Sequence, residues 1–141
     1  MSAAHTVRLA ALERLCFSEP WSENALAEEI ENPAACFLTA VENDEVLGYA
    51  GMHTVLGESY VDNIAVFPEH RGRGVGRALT QALIDRAKAE NGAFITLEVR
   101  ASNAPAIALY TALGFQKVGV RKNFYIAPRE DAWIFTLSFE P

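Results

Sequence analysis

Ile64-Ala65-Val66-Phe67-Pro68-Glu69-His70-Arg71-Gly72-Arg73-Gly74-Val75-Gly76-Arg77 is the stretch on which the reading of this chain turns. An apolar strand runs into a turn holding three alternating glycines and three arginines, and then the period changes. From Gly74 to Asn91, apolar residues fall at Val75, Ala78, Leu79, Ala82, Leu83 and Ala87, the spacing of a helix that packs one face. A helix start presents unpaired N–H groups and the positive end of its dipole, so an anion is favoured there. Glycines let the backbone approach phosphate oxygens closely, and arginines add charge-assisted hydrogen bonds. Two rival phosphate motifs fail on spacing: GxxxxGKS/T is absent, and a GxGxxG begun at Gly72 needs glycine where Arg77 stands. On these residues alone, a basic glycine-containing connection without a ligand stays open.

Working outward, three strands are predicted at about 36–42, 46–55 and 59–67, separated by turn material at Asn43-Asp44 and Gly57-Glu58. Before them, Val7, Leu9, Ala10, Leu12, Leu15 and Cys16 predict an amphipathic helix over 4–16, broken at Phe17-Ser18-Glu19-Pro20-Trp21. Ser22 reads as the N-cap of a second helix with Leu26 and Ile30 on one face, and Asn32-Pro33 ends it. After the long helix, Asn91-Gly92 reads as a stop because glycine tolerates the left-handed conformation. Phe94 to Arg100 reads as a strand. Asn103 caps a helix through Leu113 with Pro105 in its first turn and Gly114 past its end, and strands follow at 116–125 and 131–139. The order αα, βββ, α, β, α, ββ predicts a mixed α/β (α+β) domain with a single central sheet flanked by helices.

At 141 residues the chain reads as one domain, 1–141, with half its residues apolar and 21% charged, which excludes intrinsic disorder. Two cysteines make no disulfide framework, and the longest apolar runs, such as Ala34 to Leu38, are too short to span a membrane. Arg8, Glu13 and Arg14 interrupt any secretory segment, so a cytoplasmic protein is expected. Residues 1–70 carry two basic and twelve acidic residues, whereas residues 71–141 carry ten basic and six acidic ones. Such asymmetry fits an anion bound by the second half and a cation near the first, although solvated faces also carry charge. With a net charge of -6 the chain lacks the basic stripe that direct nucleic-acid binding demands. The three histidines are scattered without HxxxH or HExxH spacing, so no metal site is expected.

Two further constellations carry candidate chemistry. In Leu97-Glu98-Val99-Arg100-Ala101-Ser102-Asn103, strand alternation puts Thr96, Glu98 and Arg100 on the face opposite Ile95, Leu97 and Val99. In Ala106 to Phe115, Ala106, Leu109, Tyr110 and Leu113 form a helical stripe, a pattern in which Tyr110 is by itself a core aromatic. Taken together with Arg71-x-x-Gly74-x-Gly76, these segments resemble the GCN5-related N-acetyltransferases (GNAT). Phe17-x-x-Pro20-Trp21-Ser22, Asn63-Ile64-Ala65-Val66, Leu113-Gly114-Phe115 and Arg129-Glu130-Asp131-Ala132 bring the likeness closest to the ribosomal-protein-alanine N-acetyltransferases, the RimI group.

That resemblance implies a set of roles. The pyrophosphate of acetyl-CoA would rest on the turn Arg71, Gly72, Arg73, Gly74, Val75, Gly76 and Arg77. Its pantetheine arm would pair with Ile64, Ala65 and Val66, and Asn103 would hydrogen-bond the arm. Glu98 matches the family's general base and Tyr110 its general acid, with Trp21, Asn63 and Tyr125 as walls for the acceptor. The implied acceptor is the N-terminal tail of a small-subunit ribosomal protein, probed against lysine side chains, small amines, or loss of chemistry in an acyl-CoA-binding module. A thiol hydrolase built on Cys16 or Cys36 with His5, His53 or His70 has no nucleophile signature around either cysteine. Family members start with a short strand, whereas here only Met1-Ser2-Ala3-Ala4 precedes the first helical pattern. A missing or shortened first strand implies an exposed sheet edge open to self-association. Phe124 also stands where the group commonly has tyrosine.

Overall fold

A computed structural model describes residues 1–139. After a single 3-10 turn at Ala3–His5, the chain forms α1 (Thr6–Cys16) and α2 (Glu23–Ile30), then β1 (Ala35–Glu42), β2 (Glu45–Val55) and β3 (Glu58–Val66). A short turn at Pro68–His70 leads into α3 (Val75–Ala89), β4 (Phe94–Arg100), α4 (Ala104–Ala112), β5 (Gln116–Ile126) and β6 (Arg129–Ser138). The strands form one sheet in the order β1-β2-β3-β4-β6-β5. Only β3 and β4 are parallel; every other neighbouring pair is antiparallel. The element order is the one the sequence predicts, and no strand precedes α1.

Local chemistry sets the boundaries. Ser22 Oγ accepts from the Ala25 N–H at 3.1 Å and Asn103 Oδ1 from the Ala106 N–H at 3.3 Å, so each supplies a partner for an orphan donor of its helix. Asn43 and Asp44 both take positive φ in the two-residue β1–β2 turn, as the twist of a tight hairpin requires. The β2–β3 turn lies at Leu56-Gly57, one residue earlier than expected. At the end of α3 it is Asn91, with φ 58°, that turns left-handed. Gly92 is needed for closeness instead: a Cβ there would lie 2.8 Å from the Ala87 carbonyl oxygen.

Helices cover both faces of the sheet. On one face, Leu79, Leu83, Ile84 and Ala87 of α3 and Tyr110 of α4 pack with Ile95, Leu97, Val99 and Phe135. On the other, Leu9, Ala10 and Leu12 of α1 and Leu26 of α2 pack on Phe37, Tyr49, Ala65 and Phe67. The buried face of α1 is rotated from the predicted one. Val7 and Leu15 are 60% and 66% exposed, while Thr6 and Glu13 are buried. At the β1 edge, the Met1 ammonium donates to the Phe37 carbonyl at 2.9 Å.

The feature that positions the site is a split in the sheet. β3 pairs with β4 only where Glu58, Ser59 and Tyr60 face Phe94, Ile95 and Thr96. Beyond that, Val61–Val66 and Leu97–Arg100 have no ladder between them, whereas β4 stays paired with β6 along its whole length. A bulge at Asp62, where β3 runs past β2 between Gly51 and Met52, turns β3 away, since a bulge bends its strand and increases local twist. Among the packing residues, Leu83 is fully buried in the α3 core. Leu83→Ala is expected to lower stability by ~2–5 kcal/mol, read as a drop in urea midpoint at unchanged slope.

Candidate active site

The turn after β3 brings the start of α3 to the mouth of this split. Gly72 and Gly74 take φ of 78° and 81°, a conformation that costs a residue with a Cβ, although a Cβ at either would meet nothing. Gly74 is the N-cap and offers no side chain, so the N–H groups of the first turn of α3 remain open. Gly76 lies just beyond, its Cβ position 3.9 Å from both Val66 and Leu109 side-chain carbons, so α3, α4 and β3 converge there. Just past β3, the Phe67 N–H donates to the Leu47 carbonyl at 2.9 Å. Backbone groups alternate sides along a strand, so the N–H groups of Ile64 and Val66 face the split, with Ala65 buried between them.

The three arginines of the turn have different fates. Arg71 folds back, its Nε donating to the Val66 carbonyl at 3.1 Å and its Nη2 to Cys16 Sγ at 3.3 Å. Arg73 reaches the β1–β2 hairpin, pairing with Glu42 at 3.0 Å and lying 3.0 Å from His70 Nδ1. His70 in turn contacts Glu45 at 3.1 Å. Arg77 alone of the three has no hydrogen-bond or ion-pair partner among the described residues.

Across the split, Glu98 projects from β4 with its side chain 32% exposed and its Oε1 3.2 Å from Arg121 Nε of β5. Tyr110 of α4 is 8% exposed, and its ring packs against Phe115 and Phe135. Burial, reinforced by Tyr125, pushes its hydroxyl up to about 12. Tyr125 is likewise raised to about 12, by burial and then by the charge of Glu98. Tyr125 thus feels the charge of Glu98 and in turn acts on Tyr110. Arg100 holds Tyr125 there: its guanidinium stacks 4.3 Å from the Tyr125 ring centroid and donates to the Pro128 carbonyl at 2.9 Å and to Glu130 at 3.3 Å. Glu130 also accepts from the Ser102 N–H at 2.6 Å, tying the β5–β6 turn to the start of α4. Asn103, with its oxygen used as the cap, keeps its amide NH2 available at that same start.

Trp21 and Asn63 belong to a second cluster on the α1–α2 face. The Trp21 ring packs 5.6 Å from Phe37. The Asn63 amide donates to Glu13 at 3.0 and 3.2 Å. Sequence reading misses Glu13, which is 0% exposed, because its partners Tyr49 and Asn63 lie 36 and 50 residues away. Beside this cluster, His53 bridges Glu29 of α2 at 2.8 Å and Asp62 at the β3 bulge. Neither cysteine is an activated nucleophile: burial raises both thiols above their ordinary range. No metal-ligating cluster occurs among the described residues, and none of their helices is long and apolar enough to cross a membrane.

Comparison with known proteins follows the geometry. Residues 6–115 match the model of the acetyltransferase (GNAT) family. The chain is 40% identical over 130 residues to the ribosomal protein bS18-alanine N-acetyltransferase of Escherichia coli, covering 89% of this chain and 86% of the relative. It is 36% identical over 139 residues to the N-alpha-acetyltransferase RimI of Mycobacterium tuberculosis, covering 94% of this chain and 86% of the relative. Among solved structures, the ribosomal-protein-S18-alanine N-acetyltransferase from Escherichia coli superposes with a TM-score of 0.89 at 35% identity, over 100% of this chain and 92% of that one.

The His53 bridge has a pH signature. Burial works against its charged form, but Glu29 and Asp62 outweigh that and raise its pKa above the ordinary 6.5. A raised histidine stabilises the fold fully below the unfolded value and ceases to do so as pH rises through the folded one. The Tm advantage of the parent over His53→Gln is expected to be greatest below about pH 6.5 and to shrink above it. A Tm difference constant across that range would remove the charged bridge.

Proposed function

The chain belongs to the acetyltransferase (GNAT) family and is an acyl-CoA-dependent N-acetyltransferase, and on that premise we propose that it acetylates the N-terminal α-amine of a small-subunit ribosomal protein, one beginning with alanine. The observation that supports the reading is the unpaired stretch of β3 opening onto a helix start with no side-chain cap. The name of the Escherichia coli relative, a ribosomal protein bS18-alanine N-acetyltransferase, supports that acceptor class.

In this reading the open N–H groups of Val75, Gly76 and Arg77 receive the coenzyme's diphosphate, with Arg77 free to add charge. The extended arm pairs with Ile64, Ala65 and Val66 as an added strand, and the Asn103 amide donates to it. An α-amine has a pKa of about 7.7–8.0, so near neutrality much of it is protonated and cannot attack. Glu98, directly or through water, takes that proton. Its pair with Arg121 joins two part-exposed groups, typically worth under about 1 kcal/mol, so releasing an oxygen to the amine costs little. The C–N bond then forms as the C–S bond breaks, with an N–H near Val66 available to the developing oxyanion. Tyr110, kept protonated by burial, donates to the departing sulfur. Starting from the ammonium form, nitrogen gives up two protons, one to reach the free amine and one as the C–N bond forms; one proton reaches sulfur from Tyr110, which is then reprotonated, and the other is released to water.

Acidic residues surround the acceptor side. Exposed Glu19, Glu23, Glu28 and Glu31 lie in the α1–α2 loop, in α2 and at its C-cap, with no basic residue among them. They suit the basic tail of a ribosomal protein, raising its encounter rate by long-range attraction. The action would be cytoplasmic.

A thiol-release assay with acetyl-CoA against a peptide panel tests the acceptor: a free N-terminal alanine peptide should be acetylated in preference to an internal lysine or a small amine. Glu98→Gln is expected to lower kcat at least about tenfold while leaving coenzyme affinity nearly unchanged by calorimetry. Equal turnover in parent and variant would remove Glu98 from the chemistry.

A further inference from the structure

Glu13 is a buried carboxylate with no cation beside it. Three donors from three elements converge on it instead: the Trp21 N–H at 2.9 Å, the Tyr49 hydroxyl at 2.8 Å and the Asn63 amide at 3.0 Å. Its own backbone carbonyl accepts from the Phe17 N–H at 3.0 Å. One residue therefore holds both ends of the loop Phe17 to Trp21, whose middle residues Ser18, Glu19 and Pro20 are exposed. The same carboxylate grips Asn63, the residue immediately before Ile64 on the strand that lines the split.

The residue type matters. A carboxylate is acceptor-only, whereas a glutamine would turn an NH2 toward groups that are themselves donors. Burying an acid is costly, and an apolar side chain of similar volume would serve stability as well or better. What the carboxylate adds is a fixed relation between a loop and a strand.

We infer that Glu13 is a positioning residue that locks the Phe17–Trp21 loop to β3 at Asn63 and thereby sets the acceptor entrance relative to the coenzyme strand. This rests on the proposed acceptor site, with Trp21 as one of its walls. Glu13 touches neither reacting group. Its loss is felt in acceptor binding more than in coenzyme binding or in the bond-making step.

Three measurements test it. In the native protein, amide hydrogen exchange should show the Trp21 N–H protected like the amides inside α1, although it lies in a loop; exchange as fast as at Ser18 and Glu19 would overturn the proposal. In a Trp133→Phe background, where Trp21 is the remaining tryptophan, Glu13→Gln should shift Trp21 emission to the red and increase its quenching by acrylamide. With the alanine peptide, Glu13→Gln should raise KM at least about fivefold, with kcat and acetyl-CoA Kd within about twofold of the parent. Unchanged KM and unchanged quenching, or a parallel loss of coenzyme affinity, would overturn it. Should no amine prove to be an acceptor, the proposed function fails, while exchange and quenching still decide whether Glu13 holds the loop.

Discussion

The structure depends on a stretch of β3 that has no strand paired along one of its edges. Ladder contact between β3 and β4 ends at Tyr60 and Thr96. Backbone donors inside a protein need partners, so an unpaired run next to a core is stable only if water or an extended ligand can reach it. The surrounding elements keep the split from closing. β6 pairs with all of β4 and the Asp62 bulge bends β3, while Tyr110 fills the space beneath. The split also places three different resources at one opening: strand amides from β3, helix amides from α3 and a carboxylate from β4.

Charge is distributed in a way the sequence-level asymmetry only partly describes. The basic turn after β3 spends two of its three arginines within the fold, Arg71 on the Val66 carbonyl and Arg73 on Glu42. In the proposed reading, anion binding there is therefore chiefly a property of main-chain N–H groups and the helix dipole, whose geometry is fixed before any ligand arrives. On the α1–α2 face, the proposed acceptor side, the arrangement is reversed: exposed glutamates supply a diffuse field, and a buried one supplies geometry.

Much of this was legible locally. The strand–turn–helix at Val66 to Arg77, the Ser22 and Asn103 caps, and the alternation that puts Glu98 on the face opposite Leu97 follow from a few adjacent residues, and each forms as read. What escaped depends on partners distant in sequence. Periodicity put Val7 and Leu15 on the buried face of α1, but three donors from elsewhere draw Glu13 inward and rotate the helix. Glycine's permissiveness points to Gly92 as the left-handed residue at the end of α3; the structure gives that conformation to Asn91 and uses Gly92 for a close approach to Ala87. Nor does a turn sequence reveal whether an arginine points outward or back, since that depends on where Cys16, Glu42 and His70 arrive.

The bulge at Asp62 joins these two halves. Without an extra residue in β3, strand alternation would carry Asn63 and Ala65 to the α3 face along with Ser59 and Val61. With it, Ala65 and Phe67 pack under α1, while Val61, Ile64 and Val66 pack toward α3. Both polar clusters of the α1–α2 face take hold at this irregularity: His53 and Glu29 through Asp62, and Glu13 through Asn63. A bulge unsupported on one face would be free to slip in register. Each slipped residue would exchange the faces of Ile64 and Ala65 and so withdraw the Ile64 and Val66 amides from the split. The buried acid and the histidine bridge hold the register that leaves those amides open, which connects α1 and α2 to the unpaired edge of β3 through the sheet itself.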